Sequence, residues 1–189
     1  MEKSCLVLGF YLASWGMLRG SSFLLQKSVK YYENLIKYII ELKKEDNSIF
    51  DIDVDKYDDT NIEKILKVYE GINFVLNNKA SCTLRTKIML GVFGCIPAFD
   101  TYFKATFKKI CDNKCKFNKV DKNALEIIKN FYIKHKKEID SLSSNTYTKS
   151  FDNKAIQHYY SKSKIIDMYG FQSALGKAMY QKIQKKKRK

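Results

Sequence analysis

Proline is almost missing from this chain: Pro97 is the only one in 189 residues. Proline breaks helix interiors, so its scarcity beside abundant lysine, leucine and isoleucine predicts long helices. Histidine is scarce too, with only His135 and His158. Neither stands at a metal-ligand spacing from a cysteine pair, and no metal site or cofactor is expected. The eight glycines form no phosphate-cradling loop, no dinucleotide fingerprint and no nucleophile elbow. No apolar run is long enough to span a bilayer. The best candidate, Cys5 to Leu18, holds about fourteen residues where about twenty are needed. No small-residue cleavage site follows it, so it reads as a buried first helix at the centre of the core, in a cytoplasmic, non-membrane protein.

What is present points to one packed helical domain. The apolar fraction of 45% supports a normal core, and a chain of this length can bury about 70% of its unfolded surface without staples. The five cysteines, Cys5, Cys82, Cys95, Cys111 and Cys115, are odd in number and sit among apolar neighbours, so they read as reduced thiols.

The formal net charge is +15. Lysine supplies nearly all of it, since arginine occurs only at Arg19, Arg85 and Arg188. The terminal run Lys185 to Lys189 carries five of those charges, and removing five from +15 leaves +10. An excess of that size attracts phosphates or another anionic surface. Acid concentrates in residues 46–60, at Asp46, Asp51, Asp53, Asp55, Asp58 and Asp59. Asp51-x-Asp53-x-Asp55 opens like a calcium loop, but Lys56 and Ile62 occupy the glycine and glutamate positions. The segment reads as a solvated loop, or as an acidic face that turns a polyanion away.

Apolar spacing predicts helices over 3–18, about 22–45, 60–77, 83–93, 98–112 and 121–141, and a last one from Asn153 or Ser163 to the basic tail. No strand pattern, internal repeat or second domain is evident. The expected fold is an all-α bundle of six to eight helices over residues 1–184, with 185–189 as a basic tail. Its centre is a helix-turn-helix unit around Gly94 to Pro97. Ser81 or Thr83 caps the first helix of that unit, and Asp100 stands at the head of the second. Arg85 and Lys87 in the first turn oppose the helix dipole, an arrangement that a bound phosphate would complete. With Lys104 and Lys108 these residues are the expected nucleic-acid contacts. The tyrosines among lysines, Tyr31, Tyr32, Tyr38, Tyr159 and Tyr160, are either core edges or base-stacking platforms.

The run Phe93-Gly94-Cys95-Ile96-Pro97-Ala98-Phe99-Asp100-Thr101-Tyr102 resembles the proline-to-Asp-Thr-His stretch of helix-hairpin-helix DNA glycosylases of the endonuclease III type. The resemblance covers about thirty residues, 81–110. It implies a DNA-gripping hairpin and a catalytic carboxylate at Asp100, with Lys87 as the nearby amine. Ser81-Cys82-Thr83 stands where that family carries Gly-x-Gly, Tyr102 replaces its histidine, and no iron–sulfur cysteine cluster follows. Gly94-Cys95-Ile96-Pro97-Ala98-Phe99-Asp100 is also similar to a Gly-Cys-x-Pro-Ala-x-Asp core in small bacterial proteins of uncharacterised activity.

The resulting expectation is a protein that binds nucleic acid, most simply DNA, through backbone phosphates. Base excision with Asp100, and a non-catalytic protein-interaction module, are the alternatives. Asp167, embedded in Ile165-Ile166-Asp167-Met168, is a second acid in apolar company. Such a group is costly unless paired, and it could share a proton with Asp100 if the two meet.

Overall fold

In the computed structural model, which describes residues 1–20, 22–149 and 157–187, the chain is an all-α bundle with one small two-stranded sheet. The helices are α1 (Glu2–Ser14), α2 (Glu33–Glu45), α3 (Asp59–Val75), α4 (Cys82–Val92), α5 (Thr101–Ile110), α6 (Lys122–Lys134), α7 (Lys136–Asn145) and α8 (Lys162–Lys187). The strands β1 (Tyr147–Lys149) and β2 (Gln157–Tyr159) pair antiparallel, Tyr147 opposite Tyr159. Sequence pattern predicted no strand there, and three-residue strands are too short to show one.

Five helices start on a side chain that accepts the amide three residues on; in α8, Ser161 takes Lys164 N–H at 3.1 Å. Asp58 takes Asn61 N–H at 2.7 Å, Ser81 takes Leu84 at 3.1 Å, Asp100 takes Phe103 at 2.9 Å and Asp121 takes Ala124 at 2.9 Å. Each satisfies an amide that the helix itself leaves free. The expected cap of α3, Thr60 or Asn61, is displaced by Asp58.

Two predicted helices are broken. The 22–45 stretch opens as two short 3-10 turns, Phe23–Gln26 and Val29–Tyr32, before α2 begins. Extended backbone at Lys27 and Ser28 separates the turns. The 121–141 stretch divides at His135, where the backbone leaves helical geometry (φ −116°, ψ 27°). α5 begins at Thr101 rather than at residue 98, because the Ala98 and Phe99 amides are taken by the Asp167 and Thr86 side chains and Asp100 caps the helix. The last helix starts at Lys162, matching the Ser163 alternative; Asn153 lies outside the described residues. α8 runs to Lys187, so the basic run begins as helix; Arg188 and Lys189 lie outside the described residues.

The core is built on phenylalanine. Phe103 stacks on Phe107 at 4.2 Å and on Phe99 at 5.2 Å, and Phe117 meets all three rings edge-on. α8 crosses α5 closely at Gly170. A Cβ there would stand 2.9 Å from the Phe103 ring, and Thr106 Oγ1 donates to the Gly170 carbonyl at 2.8 Å.

Two expectations fail in instructive ways. α1 is not central: Cys5, Leu8 and Leu12 are buried, but Val7 and Phe10 are 61% and 72% exposed. It packs on α2 and α4 by one side only. Nor is 46–60 a solvated loop, since Ile49, Ile52, Val54 and Tyr57 belong to the core. Asp53 serves α8 instead of facing a polyanion. Its carboxylate accepts Lys162 N–H at 2.7 Å, Ser163 N–H at 2.9 Å and Ser163 Oγ at 2.7 Å. Asp55 pairs with Lys162 at 2.7 Å. A negative charge at a helix start is favourable, so local acid anchors the start of the longest helix.

Candidate functional site

The elbow between α4 and α5 is pinned by four side chains, the first of them Tyr57, whose Oη donates to the Cys95 carbonyl at 2.6 Å. Gly94 turns the chain at φ +68°, where an L side chain would be strained. Thr83 Oγ1 donates to the Phe99 carbonyl at 2.9 Å, and Thr86 Oγ1 accepts the Phe99 amide at 2.9 Å. From α8, Asp167 Oδ1 accepts the Ala98 amide at 3.1 Å. Together they fix the backbone just ahead of Asp100. The Asp100 carboxylate both caps α5 and lines an open groove of about 810 Å³.

That groove lies between the end of α1, the α4–α5 elbow and α8. Trp15, Arg19, Lys87, Lys164 and Asp167 line it with Asp100. Lys87 is 5% exposed, and its Nζ donates to the Trp15 carbonyl at 3.1 Å. That carbonyl ends α1, where the helix dipole favours a cation. The Trp15 ring takes two ammonium groups, Lys164 at 3.9 Å and Lys87 at 4.7 Å from its centroid. Lys164 also pairs with Asp167 at 3.1 Å, which satisfies the buried acid. Tyr11 Oη donates to the Lys87 carbonyl at 3.0 Å and ties α1 to α4. Tyr102 and Phe171 meet edge to face at 4.9 Å, and both line the groove.

The groove thus joins two of the residues that sequence reasoning named, Asp100 and Lys87, and brings Asp167 to the same wall. The other named residues go elsewhere. Ser81 caps α4 and Thr83 holds the elbow, so both hydroxyls serve the fold. Arg85 lies 3.7 Å over the Tyr69 ring and pairs with Glu70 at 3.3 Å. It diverges from Lys87, so the two do not form one phosphate cradle in the first turn of α4. Lys104 and Lys108 follow Asp100 at one-turn intervals along α5 and form no salt bridge among the described residues. Tyr31, Tyr32 and Tyr38 pack in or on the core instead of presenting faces to a ligand. Tyr159 rings against Tyr147 at 5.6 Å across the small sheet.

Sequence reasoning passed over Trp15, Arg19 and Lys164. A lone tryptophan at the end of an apolar run, followed by Gly16 and Arg19, was the available signal. Its partners stand more than seventy positions away, beyond the reach of any local pattern. All five cysteines are free. Among the described residues no three His, Cys, Asp or Glu side chains are placed to hold a metal ion. Among them also, no helix is long and apolar enough to cross a membrane.

No family model, curated protein or solved structure matches the chain.

Burial pushes the Asp167 carboxyl above its ordinary range, and the Asp100 carboxylate pushes the same way. The Lys164 ammonium and the Ala98 amide oppose this without cancelling it. Burial pulls Lys87 below its ordinary range, against the attraction of both carboxylates. The folded protein therefore holds the Asp167 proton to higher pH than the unfolded chain does. Its stability falls as pH rises from the usual carboxylate value, about 3.9, through the raised one. Asp167→Asn keeps an acceptor for the Ala98 amide and removes the titration. Urea midpoints measured across pH should show wild type losing stability relative to this variant over that window. A difference that does not vary with pH would mean an ordinary, solvated carboxyl.

Proposed function

We propose that the protein binds nucleic acid, with the groove beside Asp100 as the contact. The observation that carries this reading is the gathering of Arg19, Lys87 and Lys164 around Trp15 in a chain of net charge +15. Three cations against two carboxylates leave the groove positive, and Lys104 and Lys108 extend that charge along α5. Cations beside aromatic faces suit phosphates and bases together. This differs from the first expectation in its location. The grip comes from the groove and from α5, not from the start of α4. A binding titration across salt tests it, and affinity that does not respond to salt would remove the basis of the proposal.

A second reading, base excision, is favoured by one specific arrangement: Asp100, Asp167 and Lys87 share one groove. Burial shifts the Asp167 carboxyl up and the Lys87 amine down, the directions in which acid–base and nucleophilic chemistry tunes such groups. Asp100→Asn is the informative variant. Asparagine caps a helix as well as aspartate does, so the fold is kept while the charge is lost. Oligonucleotides carrying damaged bases should yield an excision product with wild type and at least a hundredfold less with Asp100→Asn. Equal silence from both proteins on every lesion would leave binding alone.

A further inference from the structure

The groove's floor and rim differ in chemistry, and the difference bears on which form of nucleic acid enters. The floor carries Asp100 and Asp167. One Asp100 oxygen is committed to the Phe103 amide, and both Asp167 oxygens are committed, to the Ala98 amide and to Lys164. Lys87 and Lys164 line the groove as well but are already engaged, Lys87 by the Trp15 carbonyl and Lys164 by Asp167, so a phosphate pressed onto that floor would meet the carboxylates with no free cation beside them. A base edge would bring amino and imino donors to Asp100 instead. The rim carries Tyr102 and Phe171, each 38% exposed, meeting edge to face at 4.9 Å. Arg19, five residues past α1, lines the groove, and Lys104 lies on α5 one turn after Asp100.

We infer that the groove takes unstacked nucleotides of a single strand, bases inward and phosphates outward, rather than the backbone of an intact duplex; this rests on the nucleic-acid reading above. A duplex hides its base faces in the stack and turns its phosphates out, so it would bring no base donors to Asp100 and nothing for the aromatic rim to stack on. A single strand offers both parts at once: base faces for Tyr102 and Phe171, phosphates for Arg19 and Lys104. The groove's volume of about 810 Å³ is that of a small-ligand cleft, which admits a nucleotide or two and no helix.

Fluorescence anisotropy on the full chain, at one moderate salt concentration, tests this. The probes are a labelled twelve-nucleotide single strand of mixed sequence, a hairpin duplex of the same sequence, and a nucleoside monophosphate as competitor. The single strand should bind at least tenfold more tightly than the duplex. Phe171→Ala and Tyr102→Ala should each weaken the single strand about tenfold and leave the duplex unmoved. Phe171→Trp should keep the affinity. Both positions lie at the surface, so circular dichroism should show the fold unchanged. Duplex binding as tight as single-strand binding would overturn the inference and leave the nucleic-acid reading standing. Binding of neither probe at low salt would overturn both. A monophosphate that binds as tightly as the strand would make the ligand a free nucleotide, and the strand assignment would fall.

Discussion

Phe103→Ala should lower the stability of this protein by about 3–5 kcal/mol, the usual cost of emptying a phenylalanine site in a core. Phe103 is 1% exposed and central among four rings. Phe99 and Phe107 stack on either side, Phe117 meets it edge-on at 5.6 Å, and Gly170 of α8 is close enough that a Cβ there would touch the ring. Neighbours on so many elements cannot all collapse into the void, which places the expected cost at the upper end. At roughly 2–4 °C per kcal/mol for a chain of this size, the melting temperature should drop by about 6–20 °C. The urea midpoint should fall with its slope unchanged. Phe10→Ala is the matched control. That ring is 72% exposed on α1, and its loss should move stability by no more than about 0.5 kcal/mol. A Phe103→Ala cost under 1 kcal/mol would mean that α5 and α8 do not pack as described.

The second large effect is on binding. If Arg19, Lys104 and Lys108 each neutralise one phosphate, the logarithm of affinity for a single strand should fall with log salt at a slope of about −2.1. Between 50 and 200 mM salt that is a loss of about 20-fold. Replacing Lys104 and Lys108 by alanine together should flatten the slope by about 1.4. Arg85→Ala should leave the slope unmoved. Its guanidinium is committed to Glu70 and to the Tyr69 ring, so it should cost stability instead. A slope near zero for wild type would sink the nucleic-acid reading. A slope that responds to Arg85 and not to the α5 lysines would return the contact to the start of α4.

The parts of the fold that were legible are those whose cause lies within one helical turn. Asp121 and Ser81 are caps because their oxygens reach the amide three residues on. Asp100 caps by the same rule. Gly94 marks the elbow because its φ is positive. The breaks at Lys27 and His135 were hidden because the apolar stripe continues across them. Periodicity reports which side faces the core, not whether the helix is continuous. α1 misled for a related reason. A helix that is apolar all round gives no sign of which face will be covered, and the chain covers only one.

Composition and local spacing decided the all-helical class, the position of the elbow and the acid at its far side. Only the tertiary structure decided the groove. Trp15, Lys87, Asp100, Lys164 and Asp167 come from α1's end, α4, the elbow and α8. Which of their faces meet depends on how α8 lies against α5 at Gly170 and how α1 is tied to α4 through Tyr11. Those contacts join residues 64 and 76 positions apart. The energy of such a contact is spread over both partners and their burial, so neither partner's neighbours in sequence carry a trace of it.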